Sequence, residues 1–266
     1  MAGRVCLLTG STGIAAAAAR RFAREGASVF VTSRTEEHCR ELVESIGVDS
    51  GSAAYACAEL TEPADVERAV AACRQEFGRI DGVFNVAGGS GRRFGDGPLH
   101  EATPEGWDRT LALNARSTFL VCRAAVRVML DQEPNDAGVR GSILNMSSIL
   151  AFHPSPRLFP THAYAASKGA IATLTLTMAA YYAPHRIRVN AVAPSLVTTP
   201  MSARAAADAA TRAYTVSKQP LADGFMEPDD VAHAAVFFLA DESRFVTGQL
   251  LKIDAGWSVS EALEDA

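Results

Sequence analysis

A tyrosine and a lysine lie four residues apart at Tyr164 and Lys168, with the serine pair Ser147 and Ser148 upstream. Residues at this spacing share one face of a helix, so the phenol and the ammonium can converge on one spot. A neighbouring cation stabilises phenolate, and we therefore expect a pKa of Tyr164 below the ordinary value of about 10. Such a phenol can exchange a proton with a carbonyl or an alcohol. This spacing is also common in surface contacts on helices, so the pair alone does not identify a catalytic site. Motifs elsewhere in the chain are needed to support that interpretation.

A glycine-rich turn follows the first apolar run, with Gly10 and Gly13 separated by Ser11 and Thr12. Glycine after a first strand lets the backbone approach a pyrophosphate, which then lies at the positive end of the next helix. Glycine also serves turns for backbone reasons alone, so both interpretations stay open. Arg34 ends the second apolar run, where an arginine can pair with the 2′-phosphate of NADP. A surface arginine that merely opens the next helix, with NAD as the cofactor, is the alternative.

Short apolar runs alternate with longer helical patterns along the chain. The runs predict strands at 4–9, 28–33, 53–57, 81–86, 141–147, 187–192 and 249–253. The longer patterns predict helices at 14–25, 36–46, 63–77, 104–132, 162–182 and 228–239. Repeated strand-helix units favour an α/β fold, a doubly wound Rossmann-type domain with a seven-stranded parallel sheet and helices on both faces.

No linker divides the chain, so we expect a single domain over 1–266. Two segments without a clear pattern, 88–103 and 201–227, each follow a strand. Loops at the carboxyl ends of parallel strands are where α/β folds bind ligands. We therefore expect the ligand site to include both segments.

Composition excludes several classes of function. A formal net charge of -5 and a pI of about 5.7 argue against nucleic acid or an anionic membrane surface as the partner. No stretch approaches the roughly 20 apolar residues of a membrane span, and the amino terminus leaves no room for a secretory signal. The five cysteines are scattered without metal-ligand spacing, so we expect reduced thiols in a cytoplasmic protein and no metal site.

Motifs in a fixed order carry a resemblance that extends from about residue 5 to residue 257. They are Thr9-Gly10, Gly13-Ile14, Glu59-Leu60-Thr61, Asn85-Val86-Ala87-Gly88, Asn114, Ser148, Tyr164, Lys168, Pro194 to Thr199, Thr247-Gly248-Gln249 and Asp254-Ala255-Gly256. In this order and spacing, the chain resembles the short-chain dehydrogenase/reductase family, in its short single-domain branch with the 3-oxoacyl reductases. The resemblance implies an NAD(P)-dependent oxidoreductase that interconverts a ketone and a secondary alcohol, with NADP favoured.

The resemblance also implies roles for individual residues. Tyr164 would be the general acid and base, and Ser148, next to an apolar pair, would orient the substrate oxygen. Lys168 would hold the nicotinamide ribose, and Asn114 would bind a water that links Lys168 to solvent. The cofactor would contact Gly10, Ser11, Thr12, Gly13, Ile14, Arg34, Glu59, Leu60, Asn85, Ala87, Gly88, Tyr164, Lys168, Pro194, Val197 and Thr199. A cytoplasmic homotetramer or homodimer acting on a small molecule would follow.

Asn114 is also a candidate from the residues alone. It falls at helical spacing with Trp107, Leu111, Thr118 and Cys122 on a largely apolar stripe. A polar amide there should be buried, and a buried amide needs partners. Backbone groups alone could satisfy it, which is the alternative to a functional role.

The chain departs from the family pattern at the first turn. The turn is one residue short between its first two glycines, and Ala15 stands where the family has a third glycine. We expect the pyrophosphate to lie differently or to bind less tightly. An alternative hypothesis follows, namely a catalytically weakened family member that serves as a binding or regulatory protein.

The sequence supports only a few expectations about the substrate-binding region. The segment 151–162 after Ser148 is long and rich in proline, and we expect it to shape the substrate pocket. Its histidines, His153 and His162, are expected to be ordinary loop residues. A mobile lid is expected over roughly 201–226. Arg92 and Arg93 could meet an anionic substrate, although a solvated surface position is the simpler interpretation.

Overall fold

A computed structural model describes residues 1–48 and 52–261 of the chain. Its strands are β1 (Val5–Thr9), β2 (Ser28–Ser33), β3 (Ala53–Cys57), β4 (Gly82–Asn85), β5 (Gly141–Met146), β6 (Ile187–Pro194) and β7 (Leu250–Ile253). All are parallel and form one sheet in the order β3-β2-β1-β4-β5-β6-β7. The predicted doubly wound sheet of seven strands is confirmed, and each predicted strand lies within two residues of the observed one.

Helices cover both faces of this sheet because the strands are apolar on both sides. Along β1, Leu7 packs with one cluster of buried side chains and Leu8 with the other. Successive side chains of a strand point to opposite faces, so one strand contributes to two cores. Full burial of a leucine contributes about 1.5–3 kcal/mol, and the sheet is therefore the rigid base from which the loops emerge.

The helices are α1 (Ile14–Arg24), α2 (Glu36–Val48), α3 (Pro63–Phe77), α4 (Pro104–Leu111), α5 (Ser117–Asp131), α6 (His162–Tyr182), α7 (Ala203–Ala207), α8 (Ala209–Lys218) and α9 (Pro228–Leu239). Three of them begin with proline at the first turn, where its missing N–H removes no hydrogen bond. No helix within the described parts of the chain is long and apolar enough to cross a bilayer.

The segment predicted as a helix over 104–132 is helical as far as residue 131, but its geometry is not uniform. A π-helical turn, Ala112–Arg116, separates α4 from α5. Within it the Asn114 side chain donates to the Thr110 carbonyl at 2.9 Å, and the Ser117 hydroxyl donates to the Leu113 carbonyl at 2.7 Å. Side chains that bind backbone carbonyls disturb the regular helical ladder, and π-turns of this kind often mark functional positions.

The order of strands creates a crevice at one edge of the sheet. β1 pairs with β2 on one side and with β4 on the other, so the connections from β1 and β4 leave in opposite directions. Thr9, Asn85 and Asn145 lie in register near the carboxyl ends of adjacent strands. The loops after β1, β4, β5 and β6 therefore open at the same edge.

Candidate active site

One large cavity, of about 950 Å³, occupies this carboxyl edge. Its walls come from the turns after β1 and β2, the loops after β3 to β6, and the start of α6. Fifteen of the sixteen predicted cofactor residues line it, Asn85 being the exception. Of the predicted catalytic residues, Ser148, Tyr164 and Lys168 line the cavity, and Asn114 lies behind its wall.

The turn after β1 is closed tightly by the short glycine spacing. Gly10 has a φ of 96°, and its N–H donates to the Thr32 carbonyl at 2.8 Å. A Cβ added at Gly10 would lie 3.2 Å from the Ala15 methyl, so the turn and the start of α1 are in contact there. Glycine is therefore required at Gly10, for its left-handed conformation and for the close approach.

The amino terminus of α1 is free to bind an anion. Gly13 precedes the helix, and no side chain caps its first N–H groups. Helix α1 also lacks acidic residues in its first turn, and residues 10–15 line the cavity. Uncapped N–H groups together with the helix dipole are suited to a phosphate.

A buried hydroxyl at the end of β6 lacks a partner. Ser195 Oγ has no hydrogen-bond partner among the described residues, although it lines the cavity. Buried polar groups are normally paired, so this hydroxyl indicates a ligand atom beside it. With the open end of α1 at one side of the cavity and Ser195 at another, the residues present fit a dinucleotide.

Arg34 and Glu59 meet at the end of the cavity beside β2 and β3. The Arg34 Nη1 and Glu59 Oε2 atoms are 3.5 Å apart, and the Arg34 side chain is more than half exposed. The other Glu59 oxygen accepts from the backbone and hydroxyl of Thr61. An exposed pair at this distance contributes little stability, so Arg34 remains available to a phosphate.

Asn85 does not point into the cavity. Its amide donates to Asn145 at 2.9 Å and to the Cys122 sulfur at 3.3 Å, and Asn145 donates in turn to the Thr175 hydroxyl. This buried network joins β4 and β5 to α5 and α6. The nearby loop backbone is held instead by Thr9, whose hydroxyl accepts from the N–H groups of residues 86 and 87, both at 3.0 Å.

Tyr164, Ser148 and Lys168 converge where β5 ends and α6 begins. The Ser148 hydroxyl lies close enough to the Tyr164 phenol to lower its pKa. The Lys168 ammonium lies 5.6 Å from the centre of the Tyr164 ring and donates to the Met146 carbonyl at 2.9 Å. The neighbouring Ser147 is occupied elsewhere, because its hydroxyl donates to the Lys168 carbonyl. The arrangement offers one hydroxyl pair and one cation to a substrate oxygen and a ribose.

The electrostatics of this cluster differ from the sequence-based expectation. Burial raises the pKa of Tyr164 above its ordinary value, and the Ser148 hydroxyl acts in the opposite direction. Burial also lowers the pKa of Lys168 to about 8, since this residue is only 3% exposed. The expectation that Lys168 brings the pKa of Tyr164 below its usual range is therefore wrong for the protein alone, because desolvation dominates both groups.

Asn114 is fully buried, as its apolar stripe predicts, and it lies behind the backbone of the cavity wall. Its amide donates to the Gly89 carbonyl at 3.0 Å, and its oxygen accepts from the Gly89 N–H at 3.1 Å. A Cβ added at Gly88 would lie 2.5 Å from Asn114 Oδ1 and 3.5 Å from Lys168 Nζ. Asn114 and Lys168 are thus separated by little more than the space that Gly88 leaves open.

Asp96 is a residue of the site that the sequence analysis missed. Its carboxylate accepts from the N–H groups of Ala163 and Tyr164, both at 2.9 Å, and is only 5% exposed. Thr161, at the local capping position of α6, makes no side-chain cap. The cap therefore comes from a loop 67 residues earlier in the chain. A local capping motif would have been visible, but a cap supplied at this separation leaves no sequence signal.

The segments 151–162 and 201–226 face each other across the cavity. The Ser155 hydroxyl donates to the Tyr214 hydroxyl at 3.1 Å, and the Trp257 ring packs between Phe159 and Tyr214. The predicted lid contains two short helices, α7 and α8. His153 and His162 do not line the cavity: His153 lies 2.8 Å from the Lys252 ammonium, and His162 lies 2.8 Å from the Gly97 carbonyl.

Comparison with known proteins extends over nearly the whole chain. The family model described as enoyl-(acyl carrier protein) reductase matches residues 9–258. The A-factor type gamma-butyrolactone 1'-reductase (1S-forming) of Streptomyces virginiae is 37% identical over 262 residues, covering 96% of each chain. The 3-oxoacyl-[acyl-carrier-protein] reductase of Thermotoga maritima is 34% identical over 255 residues, covering 96% of this chain and 97% of its own.

Solved structures agree with these relatives. A short-chain type dehydrogenase/reductase from Mycobacterium ulcerans superposes with a TM-score of 0.90 at 29% identity, covering 98% of this chain and 92% of its own. A 3-ketoacyl-(acyl-carrier-protein) reductase from Brucella melitensis, complexed with NADH, has a TM-score of 0.84 at 29% identity and covers 97% and 99%. A variant of actinorhodin polyketide ketoreductase with NADPH is also similar, with a TM-score of 0.86 at 26% identity, covering 97% and 100%.

Proposed function

The chain belongs to the short-chain dehydrogenase/reductase family, and from this membership we propose which of its residues carry out the family reaction. It is an NAD(P)-dependent oxidoreductase that interconverts a ketone and a secondary alcohol by hydride transfer. Its named relatives are reductases and dehydrogenases, which favours the enzyme over a binding or regulatory protein. The observation that carries the residue roles is the convergence of Tyr164, Ser148 and Lys168 in the cavity.

Tyr164 acts as the general acid during reduction. When bound, the nicotinamide supplies or accepts the hydride. The raised pKa of Tyr164 keeps its phenol protonated at neutral pH, which is the form that can protonate a ketone oxygen. Ser148 donates a hydrogen bond to the same oxygen and orients it. In the reverse direction Tyr164 has to lose its proton first, so oxidation of the alcohol is favoured at higher pH.

Lys168 and Asn114 connect Tyr164 to solvent. The Lys168 ammonium, held by the Met146 carbonyl, is placed to bind the ribose next to the phenol. Asn114 lies beyond Gly88 on the side away from the cavity, where a water between it and Lys168 would pass protons outward. Among the described residues, every hydrogen-bond partner of the Asn114 side chain is a backbone atom, so a purely structural Asn114 is the alternative.

NADP is the favoured cofactor because Arg34 lines the cavity where the second strand ends. An arginine at this position can pair with a 2′-phosphate. The Glu59 carboxylate 3.5 Å away acts against it, because a phosphate would meet a like charge there. NAD therefore remains the alternative, and the balance between Arg34 and Glu59 sets the preference.

We further propose a cytoplasmic homotetramer or homodimer built from one domain with a lid over roughly 201–226. Support for one domain is that all seven strands form one sheet. Support for pairing through α6 is that a Cβ added at Gly169 would meet nothing within 4 Å and that Leu176 on this helix is exposed. Small residues allow another helix to approach closely.

The test of the catalytic assignment is Tyr164→Phe, with Tyr181→Phe as the matched control on the same helix. Removing the Tyr164 hydroxyl should abolish NADPH oxidation with ketones such as a 3-oxoacyl thioester and a cyclic ketone, because no acid remains at the oxygen. NADPH binding, followed by its fluorescence, should change little. Tyr181 is exposed and its loss should change neither quantity. Turnover by Tyr164→Phe at the wild-type rate would refute the assignment.

A further inference from the structure

The charges that line the cavity are strongly one-sided. Among the described lining residues the basic side chains are Arg34, Arg92, Arg93, Lys168 and Arg204, and the acidic one is Glu59. Glu59 lies beside Arg34, at the end of the cavity near β2 and β3. The opposite end, near the lid, therefore carries arginine charges with no carboxylate in the wall.

Arg92 is held at the substrate end of the cavity. It begins a 3-10 turn, Arg92–Phe94, in the loop after β4. Its guanidinium donates to the Leu158 carbonyl at 2.7 Å. Leu158 belongs to the loop that connects Ser148 with Tyr164, so this bond fixes Arg92 beside the reacting groups. Arg92 is half-buried.

The carboxylate closest to Arg92 in the chain is already engaged. Asp96 accepts from the N–H groups of Ala163 and Tyr164, one at each oxygen, and these bonds hold its carboxylate against the start of α6. Arg92 makes no ion pair with any described carboxylate. Arg92 and Arg204 line the same cavity, and burial together with the charge of Arg204 lowers the pKa of Arg92, whereas the charge of Asp96 raises it. A half-buried cation facing a second cation is unfavourable until an anion joins them.

Arg204 reaches the cavity from the other side. It lies on α7 in the segment after β6 and is exposed. Its acidic neighbour Asp208 is bound to the N–H and hydroxyl of Thr211. Arg93, in contrast, lies at the rim with its guanidinium 4.6 Å from the centre of the Phe94 ring. Arg92 and Arg204 are therefore the two arginines at this end that form no close ion pair with a described carboxylate, although Asp96 and Asp208 act on them from a distance.

Large apolar side chains line the same cavity. They are Ile149, Leu150, Phe159, Met201 and Trp257. A ligand that contacts them as well as the catalytic groups and the arginines needs an apolar body in addition to its reacting carbon and its charge. Guanidinium groups recognise carboxylate and phosphate oxygens with paired, charge-assisted hydrogen bonds.

We propose that Arg92 and Arg204 form an anion-binding subsite of this cavity, and that the substrate is a ketone or alcohol with a carboxylate or phosphate group beyond an apolar segment. This inference rests on the proposed function, since it assigns the far end of the same site. It narrows the substrate to an anionic oxo or hydroxy compound.

The test is calorimetric titration of the NADP⁺-saturated enzyme with 3-phenylpropionate and with the neutral 3-phenylpropanamide. A second pair, phenyl phosphate and phenol, distinguishes a carboxylate from a phosphate preference. Each anion should bind more tightly than its neutral partner by roughly ten- to a hundredfold, the range for hydrogen bonds to charged groups. Saturation with NADP⁺ keeps the probes out of the positions of the cofactor phosphates.

The variants are Arg92→Ala, Arg204→Ala and, as a control, Arg244→Ala. Arg244 is an exposed arginine after α9 that does not line the cavity. The preference for the anion should disappear in the first two variants and persist in the control. Because Arg92 also holds Leu158, Arg92→Lys is included; retention of part of the preference there shows that the charge, and not the loop, is responsible.

Three results would overturn the subsite: equal binding of anion and neutral partner by the wild type, a preference that survives both substitutions, or displacement of NADP⁺ by the probes. The last result would assign the arginines to the cofactor phosphates. The proposed catalytic function is judged separately by Tyr164→Phe, which should bind the anions normally and lose turnover. Normal anion binding with undiminished turnover would leave the subsite standing and refute the catalytic assignment.

Discussion

Replacing Lys168 by methionine should change how the stability of the protein depends on pH. Burial lowers the pKa of Lys168 from 10.5 to about 8, so the folded state binds fewer protons than the unfolded state between these values. Stability rises with pH wherever the unfolded state binds more protons. The penalty for burying the charged ammonium is thus fully present below pH 8 and is relieved as the pH rises toward 10.5.

The magnitude follows from the two pKa values. The difference corresponds to about 3 kcal/mol in total, and about 1 kcal/mol of it falls between pH 7 and pH 9. The free energy of unfolding of the wild type should therefore rise by about 1 kcal/mol more than that of Lys168→Met over this range. The free energy of unfolding at a single pH is less informative, since Lys168→Met also leaves the Met146 carbonyl without its donor, at a cost of about 1–3 kcal/mol.

The assay is urea unfolding of the cofactor-free protein at pH 7, 8 and 9, at one fixed protomer concentration because association also affects apparent stability. Lys252→Met is the matched control, since Lys252 is an exposed lysine on β7. Its pH dependence should parallel that of the wild type. Parallel curves for wild type and Lys168→Met would refute the argument, because they would show that the Lys168 ammonium is not desolvated. Lys168→Met should also lose turnover.

The remaining predictions concern the cofactor and the start of α6. Arg34→Ala should weaken NADPH binding by on the order of tenfold and leave NADH binding nearly unchanged, whereas Glu59→Gln should shift the preference toward NADPH. Fluorescence titration with both cofactors measures this preference. A ratio of NADPH to NADH affinity equal to that of the wild type in both variants would contradict the prediction. Gly13→Ala should lower the free energy of unfolding by about 1–2 kcal/mol, since the φ of Gly13 is 54° and the new methyl would lie 3.0 Å from Thr199. It should also weaken NADPH binding. A melting temperature equal to that of the wild type would disprove the strain. Asp96→Ala should lower the free energy of unfolding by about 1–2 kcal/mol and lower kcat, with little change in the Kd for NADPH. Asp96→Asn should retain much of the stability and of the kcat. A kcat of Asp96→Ala equal to that of the wild type would contradict a positioning role.

The sheet and most helices could be predicted because their signals are local. Continuous apolar runs mark strands that are buried on both faces, and prolines at the first turn mark the starts of α3, α4 and α9. The predicted limits of α3, α6 and α9 agree with the structure. The spacing of Tyr164 and Lys168 placed both on one face of α6 and both in the cavity.

What the sequence could not provide depends on contacts between distant segments. The π-turn around Asn114 arises because the amide binds both Gly89 and the helix backbone, and helical periodicity across 104–132 gives no sign of it. The direction of the pKa shift of Tyr164 follows from burial, which a motif does not encode. Arg92, in the turn after β4, and Arg204, on α7, are distant in the chain, and only the fold brings both into the wall of one cavity.

The carboxylate of Asp96, in the loop after β4, affects both the start of the catalytic helix α6 and the arginine at the substrate end of the cavity. Asp96 binds the first N–H groups of α6, so the position of Tyr164 depends on this loop. The same bonds keep Asp96 from pairing closely with Arg92, four residues before it, although its charge still acts on Arg92. A carboxylate free to rotate would neutralise Arg92 and remove the reason for an anion to bind there. Fixing the catalytic helix and leaving a cation available for the substrate are therefore consequences of the same pair of hydrogen bonds.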